Sequence, residues 1–234
     1  MWGAAGFILG AIVGSFLATA AIRWPAGRRA TRGRSACDHC GRRLGPFDLI
    51  PIASYLIRRG RCGSCGEAID RRHLMVELAA ALIGAVALAL VPGPAGVAGA
   101  LFGWLLLLLG VLDVEHFWLP DRVTGLLALA GIAFGAAGLP PYPNDRLIGL
   151  VLGFAGLWLT GALYKALRGR DGLGGGDPKL LGAIGAWLGW AALPSVLVLA
   201  GLIGLGAVFA ARLRGDAVSA ATRLPLGALM AVAA

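Results

Sequence analysis

Eight runs of apolar residues, near 2-22, 73-91, 96-113, 122-138, 146-166, 178-192, 193-211 and 222-234, set the first constraint on this 234-residue chain. Hydrocarbon about 30 Å thick needs roughly 20 apolar residues per crossing helix, because a helix satisfies its own backbone N–H and C=O groups where water cannot. The runs predict an all-α, polytopic membrane helical bundle of seven or eight transmembrane helices. A 58% hydrophobic and 14% charged composition agrees and lies far from that of a soluble domain. The 38 glycines fit the same picture, since small residues let membrane helices approach closely. Gly182, Gly185, Ala186 and Gly189 place the sixth helix inside the bundle.

Charge supplies the orientation. Arg and Lys collect in the cytosolic loops of such proteins, and segment 23-72 alone holds twelve arginines. Arg122, then Lys165, Arg168, Arg170 and Lys179, then Arg212, Arg214 and Arg223 occupy every second loop beyond it, and only Arg146 falls on the other side. The expected arrangement is an inner-membrane protein with its amino terminus outside and a long cytosolic first loop. Residues 1-22 lack a basic start and read as a retained anchor. The net charge of +9 is concentrated in segment 23-72, where it suits anionic membrane lipid. Nucleic acid is not an expected partner, since binding it usually needs a folded basic surface carrying aromatic or polar base-reading groups. Three regions follow: a first helix at 1-22, a basic insert at 23-72 and a membrane core at 73-234.

The four cysteines all lie in that insert, as Cys37-Asp38-His39-Cys40 and Cys62-Gly63-Ser64-Cys65. Two C-x-x-C knuckles, each followed by glycine (Gly41, Gly66), have zinc-ribbon spacing and offer four thiolates in a tetrahedron. Disulfides are the other use of paired cysteines, but a cytosolic loop is kept reduced. The expectation is structural Zn held by Cys37, Cys40, Cys62 and Cys65, which supplies folding energy that a loop poor in large apolar side chains lacks. His39 sits inside a knuckle and competes poorly as a ligand.

Acidic residues beside membrane helices are costly and ask for a reason. Asp113 ends the third apolar run, and Gly174-Gly175-Gly176-Asp177-Pro178-Lys179 opens the sixth helix on the same predicted face. Asp177 followed by Pro178 also reads as a helix N-cap, and Asp121 after Pro120 reads as one more readily. Asp113 has no such explanation, because it lies at the negative end of its helix dipole. Two carboxylates sharing one proton can activate water against a peptide carbonyl. The dipoles predict Asp177 as the starting base and Asp113 as the holder of the proton. The glycines at 174, 175 and 176 are expected to add mobility and let a substrate backbone come close. Serine and metalloprotease motifs are absent, and the chain has three histidines, His39, His73 and His116.

With these residues in view, the chain resembles the bacterial type IV prepilin peptidases over essentially its whole length. The likeness runs through Gly14-Ser15-Phe16-Leu17, Ile22-Arg23-Trp24-Pro25, the paired knuckles, Val76-Glu77-Leu78, Asp113 with Leu119-Pro120-Asp121, and Gly174-Gly175-Gly176-Asp177-Pro178-Lys179. Leu224-Pro225-Leu226-Gly227 resembles the start of the family's last helix. The resemblance implies a GxGD-type aspartyl protease with Asp113 and Asp177 catalytic and Gly174, Gly175, Gly176, Lys179 and Asp121 in support. It also implies prepilin and pseudopilin substrates of type IV pilus and type II secretion systems, cut after a short basic leader. Many members methylate the new amino terminus from S-adenosylmethionine. This chain departs from the family's usual pattern at Ala18 and at Arg71-Arg72-His73-Leu74-Met75, in the part tied to methylation. Two other classes, an ion-coupled transporter and a non-catalytic membrane assembly factor, make use of the same membrane-edge acids or of the zinc loop.

Overall fold

The structure is a computed structural model that describes residues 1–28, 30, 35–37, 39–215 and 223–234. Asp38 and the arginines at 29, 32 and 34 of the basic segment lie outside the described residues. Each of the eight apolar runs is a helix: α1 (Trp2–Arg23), α3 (Arg71–Leu90), α4 (Pro94–His116), α5 (Asp121–Ala136), α6 (Pro143–Arg168), α7 (Asp177–Leu188), α8 (Leu193–Leu213) and α9 (Leu226–Ala233). A short α2 (Ala53–Ile57) lies within the insert, and the described residues contain no strand, only two isolated bridges. Five segments are long and apolar enough to cross a membrane: Trp2–Arg23, Arg71–Leu90, Pro94–His116, Pro143–Arg168 and Trp190–Leu213. The protein is a multi-pass membrane protein. The helices α5 and α7, at 16 and 12 residues, are shorter.

The chain forms two compact units, Met1–Leu108 and Leu109–Ala234. In the first, α1 and α3 pack through backbone rather than side chains. A Cβ at Gly6 would lie 2.1 Å from the Gly84 carbonyl oxygen, and one at Gly10 would lie 2.2 Å from that of Ala80. The Gly6, Gly10, Gly14 spacing of four residues puts all three on one helix face, where any side chain would force the pair apart. The Trp104 indole closes the packing by donating to the Ala80 carbonyl at 2.8 Å.

The second unit is built around α7. Ten of its twelve residues are buried, as the glycine spacing predicts. Gly149 of α6 and Gly185 of α7 meet so closely that a Cβ on either would lie within 2.4 Å of the other's carbonyl oxygen. On its other side α7 meets α5, where the Trp187 indole donates to the Leu127 carbonyl at 2.6 Å. Arg146, 2% exposed, completes this packing. Its guanidinium donates to the carbonyls of Gly131 (2.7 Å), Ala186 (3.0 Å), Leu139 (3.3 Å), Pro140 (2.7 Å) and Pro141 (3.1 Å). The one basic residue that breaks the charge asymmetry is therefore an internal brace joining α5, α6 and α7.

Candidate aspartate site and cysteine cluster

Asp113 sits in the last turn of α4, which runs past the apolar stretch to His116. It is 5% exposed, and its Oδ2 accepts a hydrogen bond from the Ala228 N–H at 2.8 Å. The partial positive charge at the start of α9 thus offsets the unfavourable end of α4. The sequence hides this partner because it lies 115 residues away.

Asp177, 7% exposed, is the first residue of α7, and Gly176 stands at the N-cap. Its carboxylate does not cap the helix. Instead Oδ2 turns back and accepts the Gly174 N–H at 3.0 Å. Asp121 does not cap α5 either: it is that helix's first residue, and its Oδ1 lies 2.6 Å from the Lys179 ammonium. Both cap expectations fail for one reason. Each aspartate falls one position inside its helix, where the side chain reaches other partners.

The second unit brings Asp113 and Asp177 together. Burial comes first and the Asp113 charge second in pushing the Asp177 carboxyl up to about 6, against which the Gly174 N–H pulls only weakly. Asp177 lies outside the five crossing segments. Desolvation and a like charge thus oppose the acidifying effect of the helix N-terminus on Asp177.

The three glycines differ among themselves. A Cβ at Gly174 would lie 3.0 Å from Asp177 Oδ2, and one at Gly176 would lie 2.8 Å from the Leu119 Cβ, while Gly175 faces open space. Two of the three are small because the site is full, and none has positive φ. Close packing is thus a reason for Gly174 and Gly176 to be glycine.

In the first unit the two knuckles share one backbone pattern. Cys37 N–H donates to Arg42 O at 2.9 Å and Gly41 N–H to Cys37 O at 2.9 Å; Cys62 N–H donates to Glu67 O at 2.8 Å and Gly66 N–H to Cys62 O at 3.0 Å. Gly41 and Gly66, with φ of 67° and 73°, take the left-handed turn that closes each knuckle. The four Sγ atoms lie within 4.8 Å of one another, with Cys37 and Cys65 at 3.9 Å. A tetrahedral ion with S ligands at about 2.3 Å has S···S edges of about 3.8 Å, so the cluster can hold a metal ion. Backbone N–H groups of Cys65 and then Ser64 hold the Cys62 thiol down at about 6, while the Cys65 thiol is pushed up to about 12. His39 is not part of the cluster.

Beside the knuckles lies a cavity of about 320 Å³ whose walls include Asp48, Tyr55, Arg58, His73 and Glu77. Asp48 is paired with Arg58 and accepts the Gly45 N–H at 3.0 Å. Glu77, 6% exposed, accepts the Ile52 N–H at 2.7 Å. It holds Ile52 at φ 62°, an uncommon conformation for a β-branched residue. Sequence reasoning marked Glu77 only as part of a motif. Its burial at the start of an apolar run is the signal that singles it out.

Comparison with known proteins bears on both units. Residues 8–91 match the bacterial peptidase A24 N-terminal domain, and residues 100–209 match the type IV leader peptidase family. A prepilin leader peptidase/N-methyltransferase of Pseudomonas aeruginosa is 37% identical over 97% of this chain and 86% of its own length. The chain belongs to the type IV leader peptidase family. Proteins of the same name from Burkholderia pseudomallei and Aeromonas hydrophila are each 42% identical, over 78% and 73% of this chain. The chain spans 59% of the length of these two relatives. No solved structure matches it.

Proposed function

We propose that this member of the family is a membrane aspartic endopeptidase that removes the short basic leader of type IV prepilins and pseudopilins. The observation that carries the reading is the pair of buried carboxylates, Asp113 and Asp177, set close enough that one charge raises the proton affinity of the other. Asp113, with one oxygen held by the Ala228 N–H, takes a proton from water as the water oxygen bonds to the scissile carbonyl carbon. Asp177 gives its proton to the carbonyl oxygen. Collapse of the tetrahedral intermediate breaks the C–N bond, returns that proton to Asp177 and passes the Asp113 proton to the leaving amine. Lys179 and Asp121 join the starts of α7 and α5 beside the pair. With the basic loops on the cytosolic side of an inner membrane and the amino terminus outside, the site opens at the cytosolic edge, where a leader retained inside presents its bond. The insert's arginines then lie against anionic lipid.

The buried ionisable residues among those described, Glu77, Asp113, Arg146 and Asp177, all lie within two turns of a helix end. A transporter's coupling groups sit nearer the midplane, which favours the peptidase. The test is cleavage of a prepilin-like peptide by the detergent-purified chain and by Asp113→Asn and Asp177→Asn. Each variant should lose at least roughly 10³-fold in kcat. Wild-type rates in either would remove that residue from the chemistry, and an inactive wild type would favour a non-catalytic assembly role.

A second activity, methylation of the new amino terminus, is favoured by the cavity beside the knuckles. Its size suits a small-molecule ligand, and Asp48 and Glu77 offer carboxylates to a cationic donor such as S-adenosylmethionine. That donor supplies an electrophilic methyl group, while Glu77 fixes the wall through Ile52. Zinc would be held by Cys37, Cys40, Cys62 and Cys65 and would fix the same wall, to which Cys37 and Cys62 contribute. Mass spectrometry of the product should show methylation by wild type and cleavage without methylation by Glu77→Gln. Methylation undiminished in that variant would remove Glu77 from the site.

A further inference from the structure

We propose that the start of α9 is a positioning element for the aspartate pair, acting through the backbone of Gly227 and Ala228 on Asp113. This rests on the reading of Asp113 as a reacting group. The Ala228 N–H donates to Asp113 Oδ2 at 2.8 Å, and the bond is buried. A backbone donor at the first turn of a helix is fixed in direction, so it turns the carboxylate and leaves Oδ1 as the oxygen presented to water.

Gly227 makes the contact specific. A Cβ there would lie 2.9 Å from Asp113 Oδ2, 3.1 Å from its Cγ and 2.9 Å from Leu119 Cδ1. Leu119 in turn fills the space beside Gly176, the neighbour of Asp177. One leucine is thus wedged between the glycines that adjoin the two aspartates, and α9 closes the arrangement from the Asp113 side. The helix has its own anchor: Met230 is fully buried, and Leu229 packs so closely on Gly204 of α8 that a Cβ there would lie 2.9 Å from it. Its start is held in place independently of Asp113.

The test measures KM and kcat on a prepilin-like peptide for the full chain in detergent, with Asp113→Asn alongside. Gly227→Ala should lower kcat roughly 10- to 100-fold, as a displaced reacting group does, with KM within about twofold of wild type. Adding Leu119→Ala should not restore kcat, because the new Cβ still meets Asp113 Oδ2. Recovery of kcat in that double variant would reduce Gly227 to a packing residue and overturn the proposal. Ala228→Pro replaces the N–H by a ring carbon that would fall against Asp113 Oδ2 and displace the carboxylate, at a helix position that tolerates proline, and serves if Gly227→Ala does not fold. It should show the same loss in kcat at retained KM, and a wild-type kcat would overturn the proposal. If these variants cleave normally while Asp113→Asn is inactive, only the positioning role fails. If Asp113→Asn itself cleaves normally, the dyad reading fails first.

Discussion

The insert and the aspartate unit are held together by opposite means. Around the knuckles the described residues other than Gly60 are half-buried or exposed, and order comes from four thiols, a few backbone hydrogen bonds and the Asp48 pairing with Arg58. Around α7 it comes from backbone against backbone, with Gly149 on Gly185 and Arg146 bracing three helices. Removal of one thiol is expected to undo the first region. The second has no single removable part except its buried charges.

Metal removal probes that contrast most strongly. Structural zinc contributes on the order of 10 kcal/mol to the folding of small metal domains. A strong chelator, or Cys62→Ser with Cys65→Ser, should therefore open residues 35–70 to protease while α5, α6 and α7 keep their helicity. The purified chain should carry one zinc per molecule by atomic absorption, and a protease-resistant insert in the metal-free protein would break the comparison.

Arg146→Met attacks the other region. It keeps an unbranched apolar stem and strips donors from five carbonyls, three of them in the turn Leu139, Pro140 and Pro141. At about 1–3 kcal/mol for each carbonyl left dry, the loss should be at least about 3 kcal/mol. It should be read as a lower Tm of the second unit in detergent with zinc retained. An unchanged Tm would mean that glycine packing alone suffices.

The same contrast explains what the sequence makes legible. Apolar runs and C-x-x-C spacing are local, so the eight helices that match apolar runs and the thiol cluster follow from them. Hydropathy sees where apolar residues stop, not where hydrogen bonding stops, and so α4 continues through Asp113 and Glu115 to His116. What escapes is long-range. Asp113 finds Ala228, Asp121 finds Lys179, and Arg146 finds carbonyls that no charge pattern reveals. The raised proton affinity of Asp177 escapes for the same reason, since burial depends on neighbours distant in sequence.

Asp177→Asn sharpens the electrostatic half of the comparison. With its carboxyl raised to about 6 from an ordinary 3.8, the folded protein binds the proton more tightly than the unfolded chain. Folding is thus penalised as pH rises from about 4 to about 6, and by on the order of 1–3 kcal/mol above that range. Asn keeps an acceptor for the Gly174 N–H and has no charge to bury. The inactive variant should melt several degrees above wild type at pH 7.5 and level with it at pH 3.5. In the active enzyme the same titration should give an alkaline limb in kcat near pH 6, where Asp177 loses its proton. A variant no more stable at pH 7.5 would mean that the pair is not under like-charge strain.

The smallest effect belongs to Lys179 and Asp121. Their 2.6 Å pair joins the start of α7 to the start of α5, but the two side chains are 45% and 72% exposed. Water and salt screen such pairs to within about 1 kcal/mol. Lys179→Met should therefore leave Tm within a degree or two of wild type. If the pair aligns the Asp177 end of α7, kcat should fall a few-fold, and 0.5 M salt should lower wild-type kcat toward the variant's while leaving the variant unmoved. A salt response equal in both would show that the bridge is surface decoration, and that α7 is held in register by its glycines and Arg146 alone.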